Sequence, residues 1–413
     1  MTTGAGAGLR VYWLTSEFSP PELGGTGVMA ACLSRGLSER GVAVQVITRQ
    51  TLPRCARSER IGKVQVRRIR PAGRMKGAGW TAFPVMLAYL VRLAIVLLLD
   101  ARRYDVIIIS GMKIIPIAAV PIGRLLGKKC VIRLESPFEI VEPISAESLG
   151  AMNSITGRLL GSVLMRMQRA VLSHADCVIA ISNDITSLLA RLQPPPARIA
   201  SIPNAIDLDR FRPVSPQEKL QLRALLGFPS AKTVVVFAGR LSRAKGVMML
   251  IEAWPSVAQQ DSNLLLVLVG SGKGSWDDCE PEIVEYLRSH DLTESVVLAG
   301  ESDRVQAYLQ AGDLFVSPSD YEGFGLTIVE ALACAMPVVS TAVGIARESI
   351  REGENGFLCP PKDPRALHEA IERALAQRDQ WPAIGRKARE SVADFGIPPV
   401  IEQYIRLCRE LQR

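Results

Sequence analysis

Hydrophobic positions along the chain fall into short runs rich in Val, Ile and Leu, each closed by a turn, with longer stretches of helical periodicity between them. In the first half the runs are LRVYWLTS, AVQVITR, YDVIIISG, KKCVIRLES and ADCVIAIS. In the second they are TVVVFAGRL, NLLLVLVGSG, SVVLAGE, DLFVSPS, PVVSTAVG and NGFLCPP. Strands that are apolar throughout belong in parallel sheets covered by helices on both faces. The pattern occurs twice, so the sequence predicts an α/β protein of two facing, doubly wound, Rossmann-like domains, residues 1–200 and 201–397, with a cleft between them. LQPPPARIASIPNAIDLDRFRPVSP, rich in proline and without long periodicity, reads as the hinge region. A length of 413 residues, too great for one ordinary core, agrees with two domains.

One apolar run needs separate treatment. WTAFPVMLAYLVRLAIVLLL, residues 80–99, is long enough to cross a bilayer. Arg92 inside it would cost roughly 2.5–3.5 kcal/mol near the bilayer centre, and Pro84 interrupts the run. DARRYDVIIISG follows as a turn and a buried strand, which puts the run where a helix between parallel strands belongs. It is expected to be a core helix, touching a membrane along one edge at most.

Composition adds that the chain is globular, with 48% hydrophobic and 22% charged residues. Charge is uneven: residues 1–200 carry 26 Lys+Arg against 12 Asp+Glu, whereas residues 201–413 carry 23 against 29. Much of the basicity lies between Arg54 and Lys76, close before the apolar run, and such a pairing suits anionic lipid headgroups. The alternative is a solvated basic face beside a buried helix. No nucleic-acid partner is expected. The eight cysteines are scattered, with no C-x-x-C and no disulfide or zinc spacing, and the amino-terminal stretch MTTGAGAGLRVYWLTSE carries no secretory pattern. A reducing, cytoplasmic setting is expected, peripheral to the inner membrane face if the basic region acts there.

Two glycine patterns fail as nucleotide motifs. GTGVMA, Gly25 to Ala30, begins ten residues after the strand ending near Thr15, whereas a dinucleotide fingerprint must follow its strand at once. GSGKGS, residues 270–275, has Val267 where a phosphate loop needs its early glycine and Gly274 where it needs Ser or Thr. FAGRLSRAKG, residues 237–246, reads better: Gly239 lets the chain turn close to a ligand after an apolar strand, and Arg240 and Lys245 then present two cations. Together they suit a diphosphate and the charge that develops as it departs. Taken alone, an ordinary basic surface loop fits as well.

SPSDYEGFGLTIVEAL, residues 317–332, places a turn between a strand and a helix, with Glu322 ahead of the helix and Glu330 inside it. First-turn amides around Phe324 to Thr327 have no helical partners and invite an anion. Glu330 lies two turns on from Glu322 and about 80° further round. Carboxylates accept hydrogen bonds from hydroxyls, so a ligand with a diphosphate centre and a hydroxyl-rich group at either end would use the whole stretch. An acidic turn capping a helix, with Glu330 paired to a nearby cation, is the alternative.

These segments resemble the retaining glycosyltransferases of family 4, glycosyl transferases group 1, whose fold is called GT-B. The resemblance runs through most of the chain: SEFSPPELGGTG, ADCVIAISNDI, ARIASIPNAIDLDRFRP, AGRLSRAKG, LVLVGSG, AGDLFVSPSDYEGFGLTIVEALACAMPVVSTAVG and ENGFLCPPKDPRAL. It implies a nucleotide-sugar donor, UDP- or GDP-linked, held mainly by the second domain, and a glycan or lipid-linked acceptor. Arg240 and Lys245 would bind the donor diphosphate, Glu322 the transferred sugar and Glu330 the nucleotide ribose. The amides of Gly323, Phe324, Gly325, Leu326 and Thr327 would contact phosphate or sugar, with Gly239 at the turn before Arg240. Gly24, Gly25 and Thr26 would approach the diphosphate from the first domain, and Gly270 and Gly272 would lie near the base. A last helix within PPVIEQYIRLCRELQR, residues 398–413, would return to the first domain.

The resemblance implies retention at the anomeric carbon without a metal. The three histidines, 174, 290 and 368, lack ligand spacing, and Asp207 and Asp209 in DLD are read as a cap or turn. Many relatives carry a histidine at the end of the strand that here reads CVIRLESPFE, where this chain has Glu135. Glu135 either orients the sugar or a hydroxyl, or serves as a structural cap, with Arg133 and Glu139 as neighbours that would neutralise it. A sugar-nucleotide epimerase of the same fold, and a binding protein that has kept the donor pocket without catalysis, are the readings that compete with a transferase acting on an envelope polysaccharide precursor.

Overall fold

The computed structural model describes residues 8–18, 25–50, 52, 55–70, 82–112, 114–141, 155–275 and 277–413. It divides into two compact units, one of Met1–Ala205 with Ile397–Arg413 and one of Ile206–Gly396.

The first unit is built on eight strands: β1 (Arg10–Thr15), β2 (Ala43–Arg49), β3 (Ser58–Ile61), β4 (Val64–Ile69), β5 (Val106–Ser110), β6 (Lys129–Arg133), β7 (Cys177–Ala180) and β8 (Ile199–Ser201). Their order is β3-β4-β2-β1-β5-β6-β7-β8. All neighbours are parallel except β3 and β4. The five expected strands form β1, β2, β5, β6 and β7; the other three come from segments read otherwise. The middle of the basic stretch folds into the antiparallel β3–β4 pair, where Val64, Val66 and Ile69 are buried while Gln65 and Arg70 stay exposed. Ile199–Ser201, within the proline-rich segment, extends the sheet as an edge strand on β7.

The long apolar run forms the Ala82–Leu99 helix. Pro84 falls in its first turn, where an amide has no partner to lose, so the helix includes it instead of breaking there. The core expectation holds for one face only: Tyr89, Leu93, Val96 and Leu97 are buried, whereas Leu87, Val91, Ile95, Leu98 and Leu99 are exposed. Among the described residues no helix is long and apolar enough to cross a membrane. Arg54, Arg74 and Lys76 lie outside the described residues.

The Ile397–Gln412 helix belongs to the first unit. Tyr404 packs its ring 5.9 Å from that of Trp13, and Ile401 lies against Gly36 so closely that a Cβ there would sit 2.7 Å from it. Ion pairs of Arg40 with Glu402 and Arg198 with Glu410 edge the contact.

In the second unit the six expected strands all form: β9 (Thr233–Ala238), β10 (Leu264–Val269), β11 (Val296–Gly300), β12 (Leu314–Ser317), β13 (Val338–Thr341) and β14 (Phe357–Cys359). The sheet is parallel, in the order β11-β10-β9-β12-β13-β14. Trp254, Leu266, Val316, Phe357 and Ile371 are among the side chains that fill its core. Strand order reverses between β9 and β12, so the loops leaving their carboxyl ends diverge, and in open sheets of this kind that crevice is where ligands bind. All eight cysteines are free thiols.

Candidate active site

The loop after β9 and the loop after β12 are stitched together at this switch point. The Asp320 amide donates to the Ala244 carbonyl at 3.0 Å, and Gly246, at φ 64°, passes so near Pro318 that a Cβ would stand 1.9 Å from its carbonyl oxygen. Only glycine tolerates both the left-handed backbone and that approach. The outcome is a contact between two residues that the sequence keeps 77 positions apart: Lys245 Nζ donates to Glu322 Oε1 at 2.6 Å. Ser319 Oγ donates to the same oxygen at 2.8 Å. Glu322 is 8% exposed, so this carboxylate is held almost out of water by an ammonium and a hydroxyl. Sequence reasoning gave Lys245 and Glu322 separate ligand roles; the structure couples them. Arg240, at the carboxyl end of β9, is exposed and has no acidic partner among the described residues. Of the two cations, it is the one left unneutralised.

Beyond Glu322 the chain enters the Leu326–Ala333 helix through Gly325, which supplies no side-chain cap. Among the described residues, the amides of Gly323, Phe324, Gly325, Leu326 and Thr327 donate to no protein acceptor. They form the bare, partly positive end that an anion would fill. Phe324 contributes its amide only: its side chain is 4% exposed and packs edge-on against Phe395 at 6.1 Å, and its carbonyl accepts from Ile345 at 2.7 Å. The phenyl ring is thus an anchor for the loop and not a ligand contact. Gly239 and Gly270 let the β9 and β10 ends meet, since a Cβ on Gly270 would fall 1.9 Å from the Gly239 carbonyl oxygen. Gly272 lies in the same loop after β10, its amide donating to Glu280 at 2.8 Å.

Glu330 projects from the second turn of that helix into dense surroundings and accepts no hydrogen bond from the described residues. Burial pushes its carboxyl up to about 7, against the pull of the Arg210 charge. Arg210 itself is committed to Gln306 at 2.7 Å and to the Asp303 carbonyl at 2.7 Å. The alternative, Glu330 paired to a nearby cation, is therefore absent among the described residues, and the carboxyl is available to a ligand. Asp207 behaves as read: its Oδ1 accepts from the amides of Asp209 and Arg210, at 3.1 and 3.0 Å, and turns the chain.

In the first unit, Glu135 follows β6 and is paired with the fully buried Arg133, whose other nitrogen meets Asn204. Burial raises the Glu135 carboxyl while Arg133 lowers it. Glu139 does not neutralise Glu135, being itself a carboxylate; it accepts from the Glu135 amide at 3.1 Å and fixes the turn. Gly25 and Thr26 open the Gly25–Glu39 helix beyond β1, and Gly24 lies outside the described residues.

Two positions escaped sequence reasoning. Ser319 was visible only as one polar residue of a turn. Asp277 lies in the segment before the Glu280–Ser289 helix and clamps the cationic loop: its Oδ2 accepts from the Ala244 amide at 3.1 Å and its carbonyl from the Arg243 amide at 3.1 Å. No local signal marks it, because its partners belong to the loop after β9.

A parallel sheet whose switch point carries two loop cations, two carboxylates and a bare helix end, in a chain with a second such sheet, defines a glycosyltransferase of the GT-B class. Family profiles agree along nearly the whole chain: a glycosyl transferase 4-like domain matches residues 24–205, and glycosyl transferases group 1 match residues 218–391. The chain belongs to this family of glycosyltransferases and is a transferase enzyme. It is similar to D-inositol 3-phosphate glycosyltransferase 1 of Catenulispora acidiphila, 27% identical over 96% of this chain and 94% of that one. Among solved structures, the sucrose-phosphate synthase of Thermosynechococcus elongatus superposes with a TM-score of 0.77 at 26% identity, covering 98% of this chain and 99% of that one. Anabaena HepE, solved in complex with UDP, shares the fold with a TM-score of 0.74 at 21% identity, over 97% of this chain and 100% of that one.

Proposed function

We propose that the chain is a retaining, metal-independent glycosyltransferase that moves a sugar from a UDP- or GDP-sugar to a hydroxyl of a glycan or lipid-linked acceptor, such as an envelope polysaccharide precursor. The observation that carries this reading is the Lys245–Glu322 contact beside the unfilled amides of residues 323–327. In it, Arg240, Lys245 and the helix end receive the diphosphate, Glu322 accepts from sugar hydroxyls, and Glu330 accepts from the ribose. HepE's bound UDP supports a nucleoside diphosphate as the leaving part.

The acceptor oxygen forms its bond to the anomeric carbon on the face from which the phosphate leaves. The anomeric C–O bond breaks with its electron pair going to the diphosphate, and the acceptor proton passes to the departing phosphate oxygen. Fixed positive groups stabilise the charge that appears there, which is the work a divalent cation does elsewhere. Glu135, paired with Arg133, orients the sugar or the acceptor hydroxyl in this scheme. The protein works in the cytoplasm, at the inner face of a membrane when its acceptor is lipid-linked.

A thermal-shift panel of UDP-, GDP- and ADP-sugars names the donor, because a bound ligand stabilises the native state by mass action. Labelled donor is then incubated with and without membrane extract, in the presence of EDTA. Label appearing in an acceptor fraction with retained anomeric configuration supports the reading. An altered nucleotide sugar without acceptor would make the protein an epimerase, and binding without turnover a non-catalytic module.

A further inference from the structure

The first unit carries a cationic groove and an unpartnered apolar helix face side by side, and we infer that together they are a docking surface for an anionic phospholipid bilayer. The groove, about 650 Å³, runs along β4 below the Ala82–Leu99 helix and is lined by six arginines: Arg57, Arg67, Arg68, Arg70, Arg92 and Arg103. Asp100 answers Arg67 at 3.0 Å and Arg103 at 3.4 Å, and Glu59 answers Arg68. Arg57, Arg70 and Arg92 are exposed and have no ion pair among the described residues. Positive charge therefore exceeds what the protein compensates, and groups with several phosphate oxygens at fixed spacing complement it.

The helix supplies the second element. Leu87, Val91, Ile95 and Leu98 follow one another at intervals of four, four and three residues, and with Leu99 they form one exposed stripe opposite the buried Tyr89, Leu93 and Val96. Leu99 is 80% exposed and Leu87 and Val91 are each 50% exposed, the reverse of what a solvated helix face presents. Ile95 lines the groove as well as the stripe, so the apolar and cationic parts are continuous. A face of this composition lies in the interfacial layer of a membrane, with its apolar side chains in the acyl boundary and its arginines among the phosphates. A second copy of the chain would bring like charge onto like charge, and charge complementarity therefore selects an anionic bilayer.

This inference deepens the membrane part of the function proposed above and rests on that part alone. The test is flotation of the full chain with vesicles of phosphatidylglycerol and phosphatidylethanolamine, and with vesicles of phosphatidylcholine only. The wild type should float with the former, and salt should weaken the association. The triple variant R57Q/R70Q/R92Q should lose about 100-fold in partitioning, at roughly a fivefold loss per arginine. The variant V91S/I95S should lose binding in a way that low salt does not restore. Unchanged thermal unfolding shows that both variants fold, as expected for exposed positions. Equal flotation with both vesicle types, wild-type binding by either variant, or a dimer in sedimentation that I95S dissociates would each overturn the inference. Donor binding by the same variants is read in parallel. Lost flotation with intact nucleoside diphosphate binding isolates the docking surface, whereas flotation without any nucleotide binding would remove the donor site and leave the docking surface standing.

Discussion

Lys245 Nζ donates to Glu322 Oε1 at 2.6 Å, and this contact joins the loop after β9 to the loop after β12. A cation suited to a diphosphate and a carboxylate suited to sugar hydroxyls thus hold each other in place before any ligand arrives. Such preorganisation leaves little to rearrange when charge develops on the leaving group.

Removing the ammonium tests the relationship. Lys245→Ala should lower turnover by on the order of 100-fold or more at saturating donor, as loss of a charge contact in the transition state does. Near-normal turnover under that condition would dissociate Lys245 from the diphosphate.

Glu330 should make nucleotide binding depend on pH. Its carboxyl is raised from 4.5 to about 7, so the stability it contributes is fully present below 4.5 and lost as pH rises through about 7. Ribose hydroxyls donate to the ionised form, and affinity for a nucleoside diphosphate should therefore strengthen over the same rise. Calorimetric titration across that range should show an inflection that Glu330→Gln flattens; an identical profile in the variant would place the titrating group elsewhere.

Gly246→Ala should destabilise the second unit and not merely slow the enzyme. Its φ of 64° costs an L-residue about 1–2 kcal/mol, and the added Cβ would be driven into the Pro318 carbonyl. For a unit of this size the backbone cost alone lowers Tm by roughly 2–8 °C. Scanning calorimetry of the variant gives the answer, and an unshifted transition would mean that the two loops do not approach as described.

Asp277 acts through the loop it clamps. Asp277→Ala frees the Ala244 amide and should cut kcat by about tenfold, the value of one hydrogen bond to a charged group. Asp277→Asn keeps an acceptor at that position and should recover most of the loss. If the two variants are equally impaired, Asp277 serves stability alone, and positioning is ruled out.

The strands of the second sheet were legible because parallel strands covered on both faces are continuous apolar runs bounded by turns. The β3–β4 pair was not, since an edge hairpin needs apolar residues on one face only and its arginines mask the alternation. Pro84 left the start of the next helix undefined: proline breaks a helix only beyond the first turn, and here it falls within that turn. That the Phe324 ring packs against Phe395, 71 positions away in the chain, while its amide stays in the loop, was not legible in the segment itself.

By itself, then, the sequence determined two parallel α/β sheets, the residue types at the donor loops and the family they belong to, because periodicity and short motifs are local properties of the chain. Only the tertiary structure decided that Lys245 and Glu322 touch, that Arg240 and Glu330 form no ion pair among the described residues, and that one face of the Ala82–Leu99 helix is exposed. Those depend on which strands become neighbours, and the reversal of strand order that brings β9 beside β12 is written in the packing of the whole sheet and in no single segment.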